Sequence, residues 1–128
     1  MSQQEAARSR KDLLEYLPLT PAVFHILLSL SAGEQHGYAI MKEVAEETDG
    51  ELRLGPGKLY YSIQRMLAEG LIEELEPPNG EKPERGRRTY QLADLGRELL
   101  EAEAKRLDKA LKLARSRSLL GGTKAETA

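Results

Sequence analysis

Apolar residues recur at helical spacing through most of this 128-residue chain, and the runs break at proline and glycine. Leu13, Leu14 and Leu17 predict a short amphipathic helix from about Ser9, stopped by Pro18. Thr20-Pro21 then opens a second helix, with Thr20 as N-cap and Pro21 in the first turn, where its missing N–H costs nothing. The body of that helix, AVFHILLSLSA, is apolar on nearly every side up to Gly33, which predicts a core position. From Gly37 to Thr48 the helical period returns, with Tyr38, Met41, Val44 and Ala45 on one side and Lys42, Glu43, Glu46 and Glu47 on the other. Asp49-Gly50 closes it. Gly55-Pro56-Gly57 resets the chain direction before a fourth helix over about 58–69, for which Gly70 is suited to the C′ position.

The second half changes period. Leu71 to Leu75 reads as a short strand, PPNGEKPERG as a polar turn-rich tip, and RRTYQL as a returning strand. A last helix opens at Ala93-Asp94 and runs to about Ser118, while residues 1–9 are expected to fray and 119–128 to be disordered. The prediction is a mainly α fold with a small β-hairpin: a winged helix-turn-helix domain plus a long C-terminal dimerisation helix. The expected parts are an N-terminal helix or arm at 1–18, the winged domain at 19–92, the dimerisation helix at 93–118 and the tail.

In KLYYSIQRMLAEG, Leu59, Ile63, Met66 and Leu67 form one core stripe. Opposite them Lys58, Tyr61, Ser62 and Arg65 stand at i, i+3, i+4 and i+7, on one face. A cation, hydroxyls and a guanidinium suit phosphate oxygens and base edges, and Arg is the commonest bidentate reader of guanine. Tyr60 lies between the stripes, with its ring inward and its hydroxyl toward a phosphate. The same spacing also describes an ordinary solvated helix face, and the helix alone does not decide.

At the hairpin tip Lys82, Arg85, Arg87 and Arg88 gather four cations, a natural contact for phosphate or a narrow minor groove. The bland reading is a solubilising turn that guards two edge strands. Further on, Leu100, Ala104, Leu107, Leu111 and Ala114 recur at spacings of four, three, four and three, a heptad seam flanked by Glu101, Glu103, Lys105, Arg106, Asp108 and Lys109. So small a domain has few surfaces of its own to cover that seam, so it is expected to meet a second copy; folding back on its own domain is the alternative. A homodimer would set two reading helices about 34 Å apart on a palindromic site in double-stranded DNA.

Charge at first argues the other way, since 19 Lys and Arg against 21 Asp and Glu leave a net charge of −2. The signs segregate, however: residues 43–51 carry five acids and no base, and 82–88 four bases and one acid. Screening limits each group's reach to about 8–10 Å, so the local pattern outweighs the total. With no cysteine there are no disulfides, no cysteine zinc site and no thiol chemistry, and no cofactor or metal is expected. His25 sits in an apolar helix as a core residue, and His36 belongs structurally to the turn before the third helix. No phosphate-cradling glycine pattern follows a strand, so an enzyme is not expected. No apolar run reaches membrane-spanning length, and the start MSQQEAARSRKD has no signal-peptide core; a cytoplasmic protein without a membrane partner is expected.

Several separated motifs, in order, carry a resemblance: HGYAI at 36–40, PGKLYYSIQRM at 56–66, GLI at 70–72, GRRTYQLADLG at 86–96 and LEAE at 100–103. Over about residues 19–114 the chain resembles the PadR family of bacterial transcription regulators. The resemblance implies a winged-helix dimer joined through its C-terminal helix, often with the N-terminal one, and repression usually relieved by a small-molecule inducer. It matches Tyr60 to the family's recurrent tyrosine, Arg65 to the basic position a turn later, and Arg87 and Arg88 to the wing. Lys58 departs from the Thr or Ser common there and cannot accept a capping hydrogen bond, which leaves Gly57 as the expected cap. No tryptophan is present for an indole-lined inducer pocket; Leu13, Leu14, Tyr16 and Phe24 are the apolar candidates instead. A winged-helix protein-interaction module that never touches DNA is the competing function.

Overall fold

A computed structural model describes residues 10–78, 80–81, 83–84 and 87–121. Residues 1–9, expected to fray, Lys82, Arg85 and residues 122–128 of the expected tail lie outside the described residues. The elements are α1 (Arg10–Leu14), α2 (Pro21–Leu30), β1 (Gln35–His36), α3 (Gly37–Glu47), α4 (Pro56–Ala68), β2 (Ile72–Leu75), β3 (Thr89–Leu92) and α5 (Asp94–Ser116).

Local chemistry sets the boundaries. Thr20 caps α2 by accepting the Val23 N–H at 3.2 Å, with Pro21 in the first turn. At α4 the start differs from the expectation: Gly55, not Gly57, is the N-cap, and Pro56 takes the first helical position. Proline's fixed φ favours that site, and it moves Lys58 from the helix boundary into the first turn. Gly70 ends α4 at φ +78, a left-handed conformation that favours glycine.

The core gathers Ile26, Leu27 and Leu30 of α2, Ile40 and Val44 of α3, Leu59, Tyr60, Ile63 and Met66 of α4, Ile72, Tyr90, Leu99 and Leu100. On α3 the buried side is Gly37, Ile40 and Val44, and Tyr38 is 56% exposed. The apolar face is therefore rotated from the expected one, because Gly37 lies against Tyr60: a Cβ there would come within 2.4 Å of the Tyr60 hydroxyl.

The expected hairpin is present, with β2 antiparallel to β3 and Glu73 opposite Gln91. A third strand was not expected. Gln35 and His36 pair with Tyr90 and Thr89, giving the order β1-β3-β2, and two residues leave no periodic trace in a sequence. The Gln35 amide donates to the Ser29 carbonyl at 2.6 Å and ties this edge to α2.

On α5, Gly96, Leu99, Leu100 and Glu103 are buried. Two assignments change here. Leu100 belongs to the domain's own core and not to an intermolecular seam. Glu103, expected as a solvated flank, is 2% exposed and accepts the Leu19 N–H at 2.9 Å as well as two bonds from Arg106. The Arg106 guanidinium holds its carboxyl below the usual range against the opposing cost of burial, with the Leu19 amide adding to the depression.

Candidate nucleic-acid interface

α4 buries Leu59, Ile63 and Met66 and turns its other side to solvent. Lys58, Tyr61 and Arg65 are exposed, Tyr61 at 64%, and Ser62 is half-buried beside them. These four share one face. Tyr61 and Arg65, one turn apart, support each other: the guanidinium carbon lies 6.0 Å from the ring centroid and Nη1 3.5 Å from the hydroxyl. The hydrogen bond to that hydroxyl, then Coulombic attraction from Tyr61 and Glu69, push the Arg65 pKa up. Lys58 in the first turn adds its charge where uncapped backbone N–H groups already favour anions.

Tyr60 does not join this face. At 2% exposure it is a core residue, which corrects its expected place among the contacts: position 60 turns with Ile63 toward α3 and leaves its hydroxyl against Gly37 rather than solvent.

In the wing, Arg87 is exposed. Arg88 is half-buried and turns toward Glu74 on β2, 4.0 Å away. His36 braces the same turn: its Nδ1 lies 2.9 Å from the Arg87 carbonyl oxygen and 3.0 Å from Thr89 Oγ1, while the Gly37 N–H donates to the Arg88 carbonyl at 3.2 Å. The wing's base is thus fixed to the start of α3. Tyr38 was missed as an exposed aromatic; its signal was the neighbouring Gly37, which fixes which side of α3 faces inward.

Beyond Glu103 the buried face of α5 continues into solvent. Leu107 is 40% and Leu111 42% exposed, Ala104 is exposed and Ala114 half-buried. Of the pocket candidates, Leu13 and Leu14 line a cleft of about 490 Å³ between α1 and α5, with Ala102 and the charged Glu98, Glu101, Lys105, Arg106 and Lys109. Tyr16 lines a different groove, and Phe24 packs half-buried on the core with its ring edge-on to His25, 5.3 Å between centroids. His25 is half-buried rather than fully enclosed. Among the described residues no group of three or more His, Cys, Asp or Glu is placed to hold a metal ion, and no helix is long and apolar enough to cross a membrane.

Comparison with known proteins agrees with this geometry. Over 79 residues, 62% of the chain, it is 44% identical to an uncharacterized 37.1 kDa protein in transposon TN4556 of Streptomyces fradiae. The chain spans 21% of that relative's length. A PadR family transcription regulator from Clostridium difficile superposes with a TM-score of 0.62 at 26% identity, over 76% of this chain and 97% of that one. A PadR-like regulator from Bacillus cereus gives 0.58 at 25%, over 85% and 97%. Bacillus subtilis PadR, in complex with operator DNA, shares the fold at 0.54 and 24%, over 66% and 45%. The model of the transcriptional regulator PadR-like family matches residues 26–102, more than half of the chain and all of the elements from α3 to β3, and the chain belongs to that family.

Proposed function

We propose that this protein is a cytoplasmic repressor that binds a palindromic operator as a homodimer and is released by a small molecule. The carrying observation is the joint outward projection of Lys58, Tyr61 and Arg65, with Ser62 beside them, from a helix whose other side is locked into the core. In this reading α4 enters the major groove, Arg65 reads base edges, and Lys58 and Arg87 contact phosphates together with Lys82 and Arg85 of the wing tip. Arg88 serves mainly to brace the wing through Glu74. The Bacillus subtilis relative, bound to operator DNA, supports the assignment.

The second copy is brought by α5. Leu107, Leu111 and Ala114 continue a face that is buried nearer the helix start, and half-exposed leucines in a row are what a partner helix covers. The α1–α5 cleft, at about 490 Å³, falls within the usual 300–1,000 Å³ of ligand sites, and with Leu13 and Leu14 on one wall it is the inducer site we favour.

Fluorescence anisotropy on a duplex from the gene's own upstream region, against a scrambled duplex, tests the reading. Arg65→Ala is expected to lose about 1–3 kcal/mol on the operator and a smaller amount on the scramble. Arg87→Ala should weaken both and lower the logarithmic salt slope by about 0.9. Equal, salt-insensitive binding by all three proteins to both duplexes would remove the operator-reading model, whereas failure of the wild type to bind either duplex, with a protein partner recovered by pulldown, would favour the protein-interaction module.

A further inference from the structure

One side of the reading face does not end at α4. Tyr61, Ser62 and Arg65 form a wall of a groove of about 320 Å³ whose other wall is the α1–α2 connection, with Tyr16 and Thr20 at its rim. Its floor is apolar: Val23, Met66 and Leu71. Glu69 is its single acid, one turn beyond Arg65, so the favourable end for an anion lies between Ser62 and Arg65.

The far wall is held in place. The Leu19 N–H donates to the buried carboxylate of Glu103, and Thr20 Oγ1 accepts the Val23 N–H. The Thr20 hydroxyl therefore keeps its own proton to donate outward. Tyr16 is 42% exposed.

We propose that this groove receives one segment of the DNA sugar–phosphate backbone, with the Tyr16 and Thr20 hydroxyls donating to a phosphate that the Arg65 side of α4 also attracts. The inference rests on the DNA-binding reading and deepens it. Three arguments carry it. The groove is continuous with the outward face of α4. Its lining offers four hydroxyls, of Tyr16, Thr20, Tyr61 and Ser62, which suit phosphate oxygens, and Arg65 stands one turn before Glu69. Its apolar floor suits a deoxyribose rather than water. Tyr16, aligned by sequence with the apolar inducer candidates, is thereby reassigned to the DNA side.

The test is Tyr16→Phe, which removes only the hydroxyl, with Tyr16→Ala as the larger change, in anisotropy titrations of the full chain on operator and scrambled duplexes. Tyr16→Phe should weaken both about tenfold, the range of a hydrogen bond to a charged group. The operator-to-scramble ratio should stay constant, because phosphate carries no base information. The salt slope should also hold, because a phenol carries no charge. Ethylation interference should show one protected phosphate per half-site lost in the variant. Wild-type affinity in both variants overturns the proposal, as does a change in the operator-to-scramble ratio, which would mean base contact, or a loss that merely tracks a lower melting temperature. Failure of the wild type to bind any duplex would instead remove the underlying reading, and the two failures are distinguishable.

Discussion

Gly96→Ala sets two known magnitudes against each other. Gly96 lies in the first turn of α5, where alanine is intrinsically better than glycine by about 1 kcal/mol. Propensity alone predicts stabilisation. The structure predicts the reverse, because a Cβ at this position would lie 2.0 Å from the Leu71 carbonyl oxygen and 3.0 Å from its carbon. Carbon–oxygen contacts begin at roughly 3.3 Å, so helix or strand must withdraw by about 1.3 Å. The obstacle is backbone, and it cannot rotate away. The same Leu71 oxygen accepts the Ala93 N–H at 3.0 Å, the bond that ties the residue before β2 to the N-cap of α5. Withdrawal costs about 1–3 kcal/mol for overpacking and about 1 kcal/mol for that bond, against the gain of about 1. The net expectation is a loss of about 1–3 kcal/mol, on the order of 5–15 °C in Tm for a domain of this size. Thermal melts followed by circular dichroism, at one fixed protein concentration because any self-association makes Tm depend on it, give the measurement. Gly57→Ala is the control: Gly57 is also helical, but a Cβ there meets nothing within 4 Å, so that variant should melt at or above the wild type. If Gly96→Ala behaves like Gly57→Ala, the close approach of α5 to the Leu71 backbone is wrong.

Three further outcomes follow from the same contacts. Gly37→Ala places a Cβ 2.4 Å from the Tyr60 hydroxyl and should destabilise by about 1–3 kcal/mol; adding Tyr60→Phe removes the obstructing atom, so a urea-denaturation cycle showing no rescue would contradict the packing. Leu111→Glu changes a side chain 42% exposed, so light scattering should show monomers that keep the wild-type helical signal, and an intact dimer would refute the α5 seam. Glu103 has a folded-state pKa depressed below its unfolded value, chiefly by Arg106. Its stabilisation is therefore complete above the unfolded carboxylate pKa of about 4.3 and is lost as pH falls through the lower folded one; Tm measured from pH 6 down to pH 3 should fall less steeply in Glu103→Gln, and parallel slopes would refute the pairing.

Where burial follows one helix, the sequence shows it. The stripe Leu59, Ile63, Met66 and its opposite face could be read from spacing alone, since both are properties of a single helix. What spacing cannot show is the neighbour across the gap. Tyr60 is placed by Gly37, twenty-three residues earlier, and Glu103 by the amide of Leu19, eighty-four positions away. Both were therefore assigned to solvent or DNA from the sequence and belong to the interior. Tyr16 was grouped with Leu13, Leu14 and Phe24 because all four are apolar and close in sequence, yet the turn after α1 carries it to the side of α4. β1 is too short to have a period. The cap shift from Gly57 to Gly55 was readable in principle, because proline at position 56 prefers the first helical site.

Glu103 also marks where α5 changes employer. Up to that residue its inner face is part of the winged domain's core; from Ala104 to Ser116 the helix leaves the domain, and at 1.5 Å per residue those 13 residues project by about 20 Å. A rigid lever of that length, paired with its twin, can hold two α4 helices at the roughly 34 Å that successive major grooves demand, provided the lever's angle to the head is fixed. Two contacts fix it, and they act at different points: Gly96 permits the backbone approach to Leu71 at the helix start, and Glu103 anchors Leu19 two turns later. Leu19 belongs to the wall that faces Ser62 and Arg65 across the groove. A rotation of the lever, by an inducer entering beside Leu13 and Leu14, would therefore alter half-site spacing and shift the wall beside the reading face together. In that case release of DNA would need no unfolding of α4, only a rigid-body rotation of the lever, magnified over its span of about 20 Å.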